Sequence, residues 1–153
     1  MKIDIYLILI FIPLVFGFII GSFSKPDDWY EKLIKPRFNP PRIVFPIAWT
    51  ILYILMGVAY YYGLYEKDYK YFIIPFIHLF LNFLYSPLFF NFKKILGSAI
   101  LTFMILIFAI MTLIQFAMTN KNLISVYLLI PYILWLIFAN YLAWSIYKLN
   151  RGK

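Results

Sequence analysis

The stretch F-P-I-A-W-T-I-L-Y-I-L-M-G-V-A-Y-Y-Y-G-L, Phe45–Leu64, runs for 20 residues without an Asp, Glu, Lys or Arg. The same absence of charge recurs in Ile5–Phe23, Tyr71–Phe92, Ile95–Met118 and Leu123–Tyr147, which contain 19, 22, 24 and 25 residues. At ~1.5 Å per residue, helices of these lengths reach roughly 28–38 Å, enough for a hydrocarbon core about 30 Å thick. Five such helices cannot all be buried inside a globule of 153 residues. Lipid offers the backbone no hydrogen bonds, so a helix that satisfies its own is the form each run must take. The chain therefore reads as one all-α membrane domain over residues 1–153. Its five transmembrane helices cover about 5–23, 45–64, 71–92, 95–118 and 123–147, with a folded loop at 24–44.

The first run follows Lys2, as a signal peptide would, but it is too long for an ordinary h-region and no A-x-A-like site follows Phe23. It is expected to stay as a helix. The absence of cysteine excludes disulfides, thiol chemistry and Cys-ligated metals. The net charge of +8 is distributed by side rather than gathered into a nucleic-acid surface. Lys2, Lys67, Lys70 and Lys121 fall on one side. Lys25, Lys32, Lys35, Arg37, Arg42, Lys93, Lys94, Lys148, Arg151 and Lys153 fall on the other. The positive-inside rule then puts the carboxy terminus and the long first loop in the cytoplasm.

That loop, W-Y-E-K-L-I-K-P-R-F-N-P-P from Trp29 to Pro41, is unusual. Pro26, Pro36, Pro40 and Pro41 prevent a continuous helix. Trp29, Tyr30, Leu33, Ile34 and Phe38 are too apolar for a solvated linker, so the loop is expected to fold back over one end of the bundle. Pro46 suits the first turn of the second helix. In the first helix, Gly17-x-x-x-Gly21 has the spacing that allows close helix approach, either within the molecule or in a homodimer.

Polar residues inside the runs must turn inward. His78, Asn82, Tyr85 and Ser86 lie at i, i+4, i+7 and i+8, on one helical face, and Pro87 interrupts the backbone ladder behind them. This stripe reads either as the wall of a ligand cavity or as hydrogen-bonding between helices. The lone His78 could ligate a haem iron, or sit neutral and hydrogen-bonded. It cannot build a zinc or di-iron centre by itself, and intramembrane carboxylates of the kind proton pumps use are missing. No residue is assigned a catalytic role and no metal site is expected. Trp49 and Trp135 lie inside helices, where their rings could stack on a flat apolar ligand. Ala139 and Ala143 follow Trp135 at steps of four, which makes either a close helix contact or a notch for a ligand beside the ring. The tyrosines at 60, 61, 62, 65, 69 and 71 are assigned to an interfacial belt.

Three blocks together resemble one family: Trp29–Ala59, Leu81–Phe90 (L-N-F-L-Y-S-P-L-F-F) and Leu128–Leu142 (L-L-I-P-Y-I-L-W-L-I-F-A-N-Y-L). They are similar, in order and over nearly the whole chain, to the tryptophan-rich sensory protein/translocator protein family, also known as the TspO/MBR or peripheral benzodiazepine receptor family. The resemblance implies a five-helix bundle, often a homodimer, with a pocket under the first loop. It implies binding of porphyrins and haem-like tetrapyrroles, and in animal members of cholesterol and aromatic drugs. By motif position, Trp29, Phe45, Pro46, Trp49, Asn82, Trp135 and Ala139 would border the pocket. Phe38 and Tyr85 stand where the family often has Trp, Ala143 where Asn is usual, and Thr102 where an acidic residue is common.

The expected function is that of a membrane receptor or regulator, possessing no required cofactor, whose ligand is protoporphyrin or haem. The macrocycle would stack between Trp49, Trp135 and nearby Phe138, and its propionates would meet Lys35, Arg37 or Arg42 in the loop. Alternatives are transport of the same ligand, light- and tryptophan-dependent porphyrin breakdown, and sterol or lipid transport. Leu142, Tyr147 and Arg151 fit a cholesterol-recognition pattern, a weak one at the basic end of a helix. The Ile-, Phe-, Tyr- and Lys-rich composition points to a microbial cell membrane, which disfavours sterol.

Overall fold

A computed structural model describes residues 4–153; Lys2, one of the cations that set the topology, lies outside the described residues. Asp4 accepts from the backbone N–H of Tyr6 and starts a short 3-10 turn, Ile5–Leu7, which runs into helix α1, Ile8–Phe23. Helix α2, Asp28–Lys32, lies in the first loop. It is followed by α3, Val44–Leu64, and by a 3-10 turn, Tyr69–Phe72, that leads into α4, Ile73–Ser86. A π-helical turn, Pro87–Asn91, extends α4, and α5, Ile95–Thr119, and α6, Ile124–Asn150, complete the chain. Five segments are long and apolar enough to cross a membrane: Ile5–Phe23, Val44–Leu64, Tyr69–Asn91, Ile95–Thr119 and Ile124–Asn150. The protein is a multi-pass α-helical membrane bundle.

The long helices close into a ring. Helix α1 packs on α3, α3 on α6, α6 on α5, α5 on α4, and α4 returns to α1. Side chains fill the ring in the half remote from the first loop. Met56, Tyr60 and Leu64 of α3 meet Ile105 and Phe116 of α5 and Leu129, Tyr132 and Leu136 of α6. Lipid provides no hydrophobic drive between helices, so close backbone approach and hydrogen bonds must hold them. Gly57 supplies one such approach: a Cβ there would collide with the backbone carbonyl of Ile10 in α1. At the same end, Asn120 donates to the Gly63 carbonyl (3.1 Å) and Gln115 to the Tyr71 carbonyl (2.7 Å), tying the helix ends together.

Gly17 faces inward, where a Cβ would overlap the Tyr53 ring, while nothing lies within 4 Å of a Cβ at Gly21. Gly17 thus serves packing of α1 against α3 within the molecule. Tyr60 is also corrected. It is fully buried rather than interfacial, because it shares the face of Tyr53, Met56 and Leu64 that points into the ring. The Pro87 interruption takes a definite form. The Phe92 N–H reaches back five residues to the Pro87 carbonyl (3.0 Å), and Lys93 then adopts a left-handed conformation (φ 56°) that turns the chain into α5.

Candidate functional site

The other half of the ring is hollow. A cavity of about 570 Å³ lies under the first loop, a size ordinary for small-molecule sites. Its side walls come from Gly17 and Phe18 of α1, Trp49 and Tyr53 of α3, Asn82 and Tyr85 of α4, Thr102 and Ile105 of α5, and Trp135, Ala139 and Ala143 of α6. The loop forms the roof through Tyr30, Asn39 and Arg42.

The loop covers the bundle because its apolar residues find a surface there. Asp27 accepts from the Tyr30 N–H (3.2 Å) and so caps α2, with Asp28 and Glu31 in the favourable first turn. The helix points Tyr30 down onto Phe89, Phe90 and Ile146, where it is buried, and burial raises its phenol above the usual range. Three polar ties fix the edges. Lys93 pairs with Asp27 (3.1 Å) and lies 5.6 Å from the Trp29 ring centre; the ammonium holds the Asp27 carboxyl below its ordinary value. Asn91 donates to Ser24 (3.1 Å). Asn150 binds the backbone of Ile34.

The aromatic wall is a set of edges and faces in contact. Trp49 and Trp135 have ring centres 6.5 Å apart at 84°, and Phe45 meets Trp135 at 6.2 Å and 76°. Rings so arranged touch one another, so the expected sandwich of a flat ligand between Trp49 and Trp135 is not available. They instead make one continuous wall against which a flat molecule can lie. The Trp135 Nε1–H is buried there without a protein acceptor.

Below the cavity floor runs a chain of buried hydrogen bonds. Tyr53 donates to Asn82 Oδ1 (2.9 Å), and Asn82 Nδ2 donates to the Tyr132 hydroxyl (2.8 Å). Tyr132 lies 2.7 Å from His78 Nε2, His78 Nδ1 lies 2.7 Å from the Tyr60 hydroxyl, and Tyr60 donates to the Pro75 carbonyl (2.9 Å). One direction satisfies every member: Tyr132 donates to Nε2, and a neutral imidazole protonated on Nδ1 donates to Tyr60. Three helices are joined through this chain, and it begins on the cavity wall.

Of the residues expected to bind ligand, Phe45, Pro46, Trp49, Asn82, Tyr85, Trp135 and Ala139 line the cavity. Trp29, His78 and Phe138 are not among the lining residues. Trp29, half-buried, packs edge to face against Phe89 (5.5 Å). His78, one turn deeper than Asn82, spends both ring nitrogens on tyrosines, which leaves none for a haem iron. Phe138 backs Trp135 edge to face at 5.7 Å. Of the expected propionate contacts, Arg42 borders the cavity, pairing with Glu31 at 2.7 Å. Lys35 is turned onto the Tyr30 ring (4.5 Å) and the Glu31 and Leu33 carbonyls, and Arg37 lies beside Phe38. The second cation at the mouth is Lys25, to which sequence reasoning gave no role in the site. Its signal is position: it follows Ser24, the residue that closes α1, whose end faces the cavity.

A ring of five membrane-crossing helices with a lidded aromatic cavity in one half defines an integral multi-pass membrane protein with room for a small molecule. The chain belongs to the TspO/MBR family, whose sequence profile matches residues 9–149. It is 36% identical over 144 residues to the "Tryptophan-rich protein TspO" of Chlorobaculum tepidum, covering 90% of each chain. To the "Tryptophan-rich sensory protein" of Cereibacter sphaeroides it is 33% identical, over 87% of this chain and 84% of that one. A bovine "Translocator protein" is 27% identical over 93% of this chain and 88% of its own.

Proposed function

We propose that the protein is a receptor for a carboxylate-bearing tetrapyrrole, which it holds in the cavity beneath the first loop. The observation that carries this reading is the pairing of an unbroken aromatic wall with two cations at the mouth. Trp49, Trp135, Phe45 and Tyr53 form a contiguous aromatic wall of faces and edges against which a large planar ring can pack. Lys25 and Arg42 stand at the roof, where propionates would emerge, and charge-assisted hydrogen bonds there would orient the macrocycle. A neutral sterol would use the wall but make no use of Lys25, or of Arg42 beyond its pairing with Glu31.

On this reading the protein sits in a microbial cell membrane with the lid facing the cytoplasm, and the charge distribution supports that orientation. The lid side carries ten cations against Asp27, Asp28 and Glu31, the opposite side four against Asp4, Glu66 and Asp68. A homodimer, which the family resemblance implies, would be built on the lipid-facing residues of the bundle.

The test is a titration of purified protein with protoporphyrin IX, in darkness and then in light. Quenching of tryptophan fluorescence is expected, reduced in Trp135→Phe and weakened by added salt in the parent but less so in Lys25→Gln/Arg42→Gln. Unquenched fluorescence at saturating porphyrin would remove the reading. Bleaching of the porphyrin only under light and only with protein present would favour degradation over binding alone.

A further inference from the structure

The side chain of Asn150 makes three hydrogen bonds. Its Oδ1 accepts from the Ile34 N–H (2.9 Å), and its Nδ2 donates to the Ile34 carbonyl (2.8 Å) and to the Ile146 carbonyl of its own helix (2.7 Å). Both amide protons and the amide oxygen are therefore in use. Ile34 belongs to the lid, 116 positions away in sequence. Asn150 is the last residue of α6, where helix carbonyls lack intrahelical partners, so the same group that ends the helix also holds the loop.

The register of α6 adds a second fact. Trp135, Ala139, Ala143 and Ile146 line the cavity, and Asn150 continues their series by one further turn. The stripe that forms the cavity wall thus ends in the group that grips its roof. The clasp is partly exposed, so water competes for it and it can open without unfolding a helix.

We propose that Asn150 is the latch of the lid, a positioning residue that holds the loop shut and sets how long an occupant stays. The chemistry of the site is specific to a carboxamide at this reach. Aspartate has no donor for the two carbonyls, and serine cannot pair with both Ile34 groups while capping Ile146. A latch acts on departure more than arrival, so it appears in the release rate.

The retention part rests on the tetrapyrrole reading; the closure part does not. Closure is tested by amide hydrogen exchange on the ligand-free protein in detergent micelles, following the lid peptide over residues 28–41. Asn150→Ala and Asn150→Asp should both exchange faster there, with the transmembrane peptides and the Tm unchanged, while Lys148→Ala, an exposed change two residues away, should match the parent. Retention is tested by the release of protoporphyrin IX, expected to be roughly tenfold faster in Asn150→Ala with little change in the association rate. Unchanged lid exchange in Asn150→Ala overturns the latch, as does an equal rise across all peptides, which marks a merely structural residue. A parent that binds no protoporphyrin sinks the tetrapyrrole reading, and the exchange comparison still decides the latch.

Discussion

The hydroxyl of Tyr132 on α6 lies 2.7 Å from Nε2 of His78 on α4, and both side chains are almost completely buried. The pair sits in the middle of a hydrogen-bonded series whose every member is satisfied when His78 is neutral. Within a bilayer this satisfaction matters more than the identity of the ring. His78→Phe leaves the Tyr132 hydroxyl without an acceptor and removes a donor from Tyr60. A loss of about 1–3 kcal/mol is expected, read from unfolding in detergent. The haemin Soret band should be the same in the variant as in the parent, because His78 does not reach the cavity. A band shift lost with His78 would contradict its placement below the floor.

Ala139 and Ala143 keep the α6 wall open beside Trp135. Ala139→Phe fills that notch with a ring while leaving the hydrogen-bonded series intact. Protoporphyrin affinity should fall at least about tenfold, and the Tm should hold or rise as empty space is filled. Titration and melting of the same preparation check both halves.

Substitutions at the helix glycines should differ in a definite order. A methyl at Gly57 meets the Ile10 backbone, which cannot turn aside; at Gly63 and Gly17 it meets the rings of Phe116 and Tyr53, which can shift. Gly57→Ala should cost the most, about 1–3 kcal/mol. Gly21→Ala, with nothing within 4 Å, should be close to neutral. Thermal melting of the four variants gives the ranking.

The Asp27–Lys93 tie makes one edge of the lid dependent on pH. The folded carboxyl is held below 3.8, chiefly by its hydrogen bond to Lys93 and next by the Tyr30 N–H. A lowered folded value means that the tie is fully present above the unfolded value and lost as pH falls through the folded one. Lid exchange, corrected for the intrinsic pH dependence of the chemistry, should be flat from neutrality to mildly acid pH. It should rise only below the ordinary carboxylate range, and the rise should vanish in Asp27→Asn.

The five crossings were legible because lipid forbids charge and demands helices, a constraint strong enough to override local detail. The stripe of Asn82, Tyr85 and Ser86 was legible for the same reason: 3.6-residue periodicity puts them on one face. The partners of His78 were not, since Tyr60 and Tyr132 arrive from two other helices and only the ring order brings them there. Tyr60, in a run of three tyrosines near a helix end, carries the same local signal as a true belt residue. Lys35 and Arg37, unlike Arg42, are not brought to the cavity for a related reason. A five-residue helix inside a proline-rich loop, Asp28–Lys32, sets the phase of the residues after it and turns Lys35 onto Tyr30 rather than toward the cavity. Phe138 and Ala139 are neighbours in sequence, yet only Ala139 faces the hollow.

The collision that Gly57 avoids with Ile10, together with the filled half of the ring, has a mechanical consequence. Where two helices meet backbone to backbone, their separation at that level is fixed by the chain itself. A residue that does not line the chamber therefore helps to set the spacing of two of the helices that wall it, α1 and α3.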